Sequence, residues 1–250
     1  RGNYVDDTAT TCRMAASAWL SDALPYNEET LRTLAESYYA SSWTGEMGSE
    51  TLNTALQKWL SEQTGGLLDD AVAGIKTDPE TLLALCTTIY FRTRWADEFS
   101  KSATMAMPFH ALDGDGEADF LRRSGVDTVW YGDGFSAVSL PMLTFGSMWI
   151  ILPDEGLAPE DLLGRDDAVK FLLRPGEHAT GRVAMVNLAV PKFDVSSNLD
   201  LADGMPALGI NKAFDAKQSD YTAIAPDSEG IFLSSVAHAA RVKIDEAGCE

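Results

Sequence analysis

At 250 residues, with 45% hydrophobic, 9% aromatic and 23% charged side chains, the chain carries enough apolar material for one substantial core, which excludes wholesale disorder. Its 38 acidic residues against 19 basic ones leave a formal charge of -19, a surface that repels phosphate backbones and anionic lipid, so nucleic acid and membranes are excluded as natural partners. Cys12, Cys86 and Cys249 lie far apart without a CxxC pair, and the three histidines are scattered, so neither a disulfide framework nor a metal centre is expected.

The chain opens on the polar run Arg1 to Asp7, which is no signal peptide. No apolar run approaches the roughly 18 residues of a membrane span. Cys12 to Leu20 is an apolar-rich stretch that suits strand or helix. Asn27 to Tyr39 reads as a helix, with Glu28 and Glu29 placed for its first turn. Thr51 to Thr64 is the clearest helix, because Leu52, Ala55, Leu56, Trp59 and Leu60 make one buried stripe and Gly65-Gly66 stops it.

After Asp78-Pro79, the run Thr81 to Phe91 is rich in strand formers and places Leu83, Leu85, Thr87, Ile89 and Phe91 on one face. From Phe120 the pattern predicts short strands broken by turns: one up to Gly132-Asp133-Gly134, then Ala137 to Met142, then Ser147 to Leu152 ending at Pro153. Short helices are expected at Pro159 to Leu163 and Asp167 to Leu173, a strand at Arg182 to Val190, and a helix at Leu199 to Leu208. The last strand is placed at Ile231 to Asp245, with Val236, His238, Ala240, Val242 and Ile244 on the face predicted to meet a core. His238 therefore needs a hydrogen-bond partner there. The class is α+β, with no repeat or linker, and residues 1–250 are expected to form a single domain. Glu246-Ala247-Gly248-Cys249-Glu250 then breaks the alternation in a manner that suggests an interruption.

Asp113-Gly114-Asp115-Gly116-Glu117-Ala118-Asp119 hints at a calcium loop, but its glycine and final carboxylate are misplaced for one, so it reads as a solvated turn. There is no Gly-x-Ser-x-Gly elbow, P-loop or HExxH, so no enzyme chemistry and no cofactor are expected.

Six motifs in order resemble the serpin family of protease inhibitors, and the likeness runs through essentially the whole chain. They are Leu56 to Gly65 with Trp59; Ile89-Tyr90-Phe91-Arg92-Thr93-Arg94-Trp95 with Phe99; Met107-Pro108-Phe109-His110; Leu140-Pro141 with Ile150 to Gly156; Val190-Pro191-Lys192-Phe193-Asp194; and Ala239 to Glu250. The resemblance implies a serpin fold: a large main sheet able to accept an inserted loop, β-barrel sheets and surrounding helices. It implies an irreversible inhibitor of serine, or less often cysteine, endopeptidases. The protease cleaves a reactive loop, becomes covalently attached, and is trapped when that loop enters the main sheet.

The resemblance also assigns roles. Glu246, Ala247, Gly248, Cys249 and Glu250 match the loop's hinge, with Cys249 standing where the family favours a small hydroxyl residue. His238 matches the histidine of the shutter, and Thr87 stands where its asparagine partner is usual. Trp95 matches the tryptophan of the breach, and Thr93 replaces a common glycine. The scissile bond is not in these 250 residues. Partners implied are a target serine protease and missing segments of the same polypeptide, since the family's first helices and closing strands are absent at the two ends. Export from the cell is expected from family habit. The competing reading is a serpin used as carrier, chaperone or storage protein.

Overall fold

The computed structural model describes residues 5–7, 9–111, 114–144 and 146–250. Arg1 to Tyr4 of the polar opening and Asp113 of the acidic run lie outside them. In chain order the elements begin β1 (Val5–Asp6), β2 (Thr10–Ser21), α1 (Glu28–Ser37), β3 (Ser41–Gly45), α2 (Glu50–Gln63), α3 (Asp69–Val72) and β4 (Leu83–Arg94). There follow β5 (Met105–Ala111), β6 (Gly114–Gly132), β7 (Phe135–Pro141), β8 (Ser147–Pro153), α4 (Pro159–Leu163) and α5 (Asp166–Leu173). The chain closes with β9 (Thr180–Pro191), β10 (Phe193–Asp200), α6 (Gly204–Ala207), β11 (Ala237–Ile244) and β12 (Gly248–Cys249). Two compact units result: Arg1–Asp7, Thr11–Phe91 and Val195–Val242 form one, and Thr8–Thr10, Arg92–Asp194 and Lys243–Glu250 form the other.

In the first unit the helices form where local chemistry demands them. The Asn27 side chain accepts from the Glu29 and Thr30 amides at 2.9 and 3.2 Å, satisfying two of the four orphan donors at the start of α1. Ser49 caps α2 through the Leu52 amide, and the stripe Leu52, Leu56, Trp59 and Leu60 is buried as expected. Gly65 ends that helix at φ 62°, and a Cβ there would lie 2.7 Å from the Tyr90 ring, so glycine is required both by backbone and by space. The core is built round Trp19, stacked on Trp43 at 4.4 Å, with Trp59 edge-on to Trp43 at 6.0 Å. Met47, Leu52, Leu56, Leu60 and Val72 complete it, and Ala84 and Cys86 of β4 pack against it.

That packing selects Ala84, Cys86, Thr88 and Tyr90 of β4 for the interior. Thr88 and Tyr90 are buried, whereas Leu85 and Ile89 are 62% and 76% exposed. The odd positions do share a face, and in this structure it is the uncovered one.

In the second unit an open five-stranded sheet runs β5-β6-β7-β8, with β9 added on β6. The strands expected from Phe120 are present as β6, β7 and β8, broken at the Gly132-Asp133-Gly134 turn, but β6 is a 19-residue strand that reaches back to Gly114 through the acidic run. β6 pairs with β5 over Gly114 to Phe120, with β9 over Phe120 to Tyr131 and with β7 over Trp130 to Gly132. Asp115, Glu117 and Asp119 therefore belong to a ladder and not to a turn. Three successive non-local partners hold in strand a segment whose own residues signal a break. The core beneath is Phe135, Ala137, Leu162, Ala168 and Phe171, with Phe171 meeting Phe135 at 5.1 Å and Trp149 at 5.2 Å.

Two further expectations are corrected. Leu199 to Leu208 is helical only at Gly204–Ala207, because β10 runs on to Asp200 and Pro206 leaves room for one turn. The final strand begins at Ala237, six residues after Ile231.

Candidate hinge site

The second unit assembles the terminal residues into a compact site. β12 pairs antiparallel with the end of β4, Gly248 opposite Arg94 and Cys249 opposite Thr93, and antiparallel with the end of β11, Ile244 opposite Cys249. The segment after β11 thus reverses and enters the sheet between two strands. Lys243 and Glu250 exchange backbone bonds at 2.8 and 2.9 Å, and the Asp245 amide donates to the Gly248 carbonyl at 3.0 Å.

Asp245 makes the reversal. Its Oδ1 accepts from the Ala247 and Gly248 amides at 2.8 and 3.2 Å, the bonding of an aspartate turn. The outside of the turn is held by Trp95. Its indole Nε1 donates to the Asp245 carbonyl at 2.9 Å and its amide to the Ala247 carbonyl at 3.0 Å. Phe99 meets Trp95 edge-on at 6.2 Å, and its amide donates to the Glu246 carbonyl at 3.0 Å.

Glu246 is buried by a charge pair. Its oxygens lie 3.0 and 3.1 Å from Lys192 Nζ, and Thr104 Oγ1 donates to Oε1 at 2.9 Å. Its own backbone amide first, and then Lys192, hold the carboxyl below the ordinary glutamate range. A folded-state pKa lowered in this way stabilises the charged form, so the contribution is in force above the unfolded value of about 4.3 and vanishes as pH falls through the lower folded value. The urea midpoint of the full-length protein is accordingly expected to fall between pH 5 and 3 by more than that of Glu246→Gln. Equal acid sensitivity in the two proteins would contradict the assignment.

Gly248 is fixed by space. A Cβ on it would lie 2.0 Å from the Thr93 carbonyl oxygen and 2.9 Å from Arg94 Cα, both backbone atoms. Cys249 is 6% exposed, and burial pushes its thiol up to about 11, so it is protonated and unreactive while β12 is seated. Thr93 is buried beside it and shares a hydroxyl bond of 2.9 Å with Thr10, which bonds Thr144 at 2.6 Å. A cleft of about 230 Å³ follows the seated segment, lined among others by Arg92, Thr93, Lys243 and Glu250.

Of the residues singled out by sequence, the structure brings Trp95 together with Glu246, Ala247, Gly248 and Cys249, while Glu250 closes the pairing with Lys243. Asp245, Thr104, Thr10 and Thr144 escaped sequence reading, and Phe99, Lys192 and Thr93 were named only as motif positions, without a role at this turn. The first of these carried a signal, an aspartate two residues before a small-residue pair.

Thr87 and His238 belong to the first unit, and His238 is corrected. It is exposed, as is Thr87, and not turned into a core. Arg241 on the charged face of β11 is half-buried, its Nη1 bonded to the Leu67 carbonyl at 2.9 Å, while His238 and Val242 on the other face are exposed and only its last residue, Ile244, is buried as expected. His110 is exposed and bonded to Asp115 at 2.7 Å.

Residues 3–250 match the family model described as serpin (serine protease inhibitor). Serpin-ZX of Arabidopsis thaliana is 26% identical across 95% of this chain, and Serpin B11 of Mus musculus is 26% identical across 91%. The chain spans 63% and 60% of those two relatives. Among solved structures, ovalbumin from the emu, Dromaius novaehollandiae, superposes with a TM-score of 0.86 at 21% identity, over 98% of this chain and 64% of that one. The thermophilic serpin tengpin matches in its latent and its native state alike, each with a TM-score of 0.84 at 19% identity over 99% of this chain, and over 67% and 63% of the two tengpin chains. These likenesses establish the serpin fold, and with the family model they establish that the chain belongs to the serpin family.

Proposed function

We propose that this chain is the greater part of a mechanism-based inhibitor of serine endopeptidases that traps its target by drawing a cleaved loop into its main sheet. The observation that carries the reading is the seat of Gly248-Cys249, paired on both sides between β4 and β11. An incoming strand must be small where it threads between existing backbones, and Gly248 has no space for even one methyl group. Each ladder bond contributes roughly 0.5–1.5 kcal/mol net, so a segment entering residue by residue gains stability with every pair. A loop held outside such a sheet is therefore kept there by a kinetic barrier, and cutting it releases the fall in free energy.

In this mechanism the protease supplies the nucleophile and this protein supplies the bait and the sheet. Trp95, Phe99 and Glu246 hold the turn from which insertion starts, and Cys249 fits as a small apolar side chain. Export of the protein from the cell is proposed separately, from family habit alone.

The test is incubation of the full-length protein with trypsin-like, chymotrypsin-like and elastase-like proteases, followed by denaturing electrophoresis. A covalent complex that survives SDS is expected with at least one class. Cleavage by all three without any complex would instead favour the carrier, chaperone or storage reading.

A further inference from the structure

We propose that Arg123, on β6, is a positioning residue that clamps the hinge turn through Phe99, and that Asp127 orients it. This deepens the hinge reading above and rests on it. The Arg123 guanidinium carbon stands 5.7 Å from the centre of the Phe99 ring, within cation–π range of a ring that is 4% exposed. Its Nη2 lies 3.4 Å from Asp127 Oδ2, and the other oxygen of that carboxylate is fixed by the Thr128 amide at 2.7 Å. The Arg123 and Asp127 side chains are 29% and 33% exposed, so the pair is partly shielded from water.

The stack is continuous. Asp127 holds the guanidinium over Phe99; Phe99 packs edge-on to Trp95; and the two backbones and the indole together make three hydrogen bonds to residues 245–247. Arg123 touches no hinge residue among these contacts and acts through the ring. A planar cation resting on one aromatic face, with the other ring locked at 85° to it, fixes the angle at which the Phe99 amide reaches the Glu246 carbonyl. Loss of the clamp leaves the core in place but frees the Phe99 segment, so the hinge unseats more often.

Cys249 is a built-in reporter of that event, because its buried thiol labels only when β12 leaves the sheet. Cys86, which packs on the separate tryptophan cluster of the first unit, serves as an internal control. The experiment treats full-length protein with a water-soluble maleimide and follows both cysteines by peptide mass spectrometry. Arg123→Met keeps an apolar stem over Phe99 without charge, and Asp127→Asn keeps the shape of the orienting partner.

Both variants are expected to raise Cys249 labelling about five- to tenfold relative to Cys86, with Arg123→Lys, which keeps the charge but not the planar stack, falling between wild type and Arg123→Met. Arg123→Met at the wild-type rate, or an equal rise at Cys86, would overturn the proposal. The readout uses no protease. A labelling shift in a protein that forms no SDS-stable complex would preserve the clamp and remove the inhibitory reading, whereas normal complexes with unchanged labelling would do the reverse.

Discussion

Gly248→Val in the full-length protein is expected to turn an inhibitor into a substrate: the target protease cleaves the loop and leaves, and no SDS-stable complex accumulates. The cause lies in three backbone atoms. A Cβ at 248 falls 2.0 Å from the Thr93 carbonyl oxygen and 2.9 Å from both Thr93 C and Arg94 Cα. No rotamer relieves a clash made by Cβ itself, and the obstructing atoms are part of β4, whose displacement would break its own ladder.

The seat of β12 is then lost, and with it the bonds between Asp245 and Gly248 and between Lys243 and Glu250. Three such bonds at roughly 0.5–1.5 kcal/mol each make seating about tenfold to a thousandfold less favourable. Ala247→Val is the matched control, since Ala247 is exposed at the turn. It should form complexes within about twofold of wild type, as surface substitutions usually shift stability by no more than about 0.5 kcal/mol. Complex formation by Gly248→Val at half the wild-type yield or more would show that the segment does not enter where this structure places it.

The contrast between Gly248 and its surroundings shows what was legible in the residues and what was not. α1 and α2 could be read because their caps, stripes and stop glycines act within a few positions. The small-acidic terminal run was legible as an exception to alternation. Its environment was not: Glu246 finds Lys192 and Thr104 at separations of 54 and 142 residues, and Trp95 reaches Asp245 across 150. A lone buried carboxylate requires a partner, but nothing local says which lysine supplies it. The first part of β6, Gly114 to Asp119, was misread as a turn for the same reason, since its strand character is imposed by pairing with β5. His238 exposes a different gap. Period-two patterning says which residues share a face, while the covering layer decides which face is inside. Val242 at 43% and Ile89 at 76% exposure are apolar residues on faces that this chain leaves open.

Glu246→Lys is the second change with a large expected effect, because it reverses the charge that faces Lys192. The Glu246 side chain is 11% exposed and that of Lys192 34%. Removing one partner of a fully buried pair costs about 3–5 kcal/mol. Water reaches Lys192, so the expected loss here is smaller, about 2–3 kcal/mol, equivalent to a roughly 30- to 150-fold shift toward the unseated hinge. Thr104 loses its acceptor at the same time.

Glu246→Gln separates charge from hydrogen bonding. It keeps an acceptor for Thr104 and introduces no repulsion, so its effect on Cys249 labelling should be several-fold below that of Glu246→Lys. The exchange of both charges, Glu246→Lys with Lys192→Glu, then isolates the pair from its setting. A double variant that labels Cys249 more slowly than Glu246→Lys alone locates the effect in the ion pair. If Lys192→Glu brings no recovery, the carboxylate serves the hinge through its own backbone amide and Thr104, and the lysine is incidental.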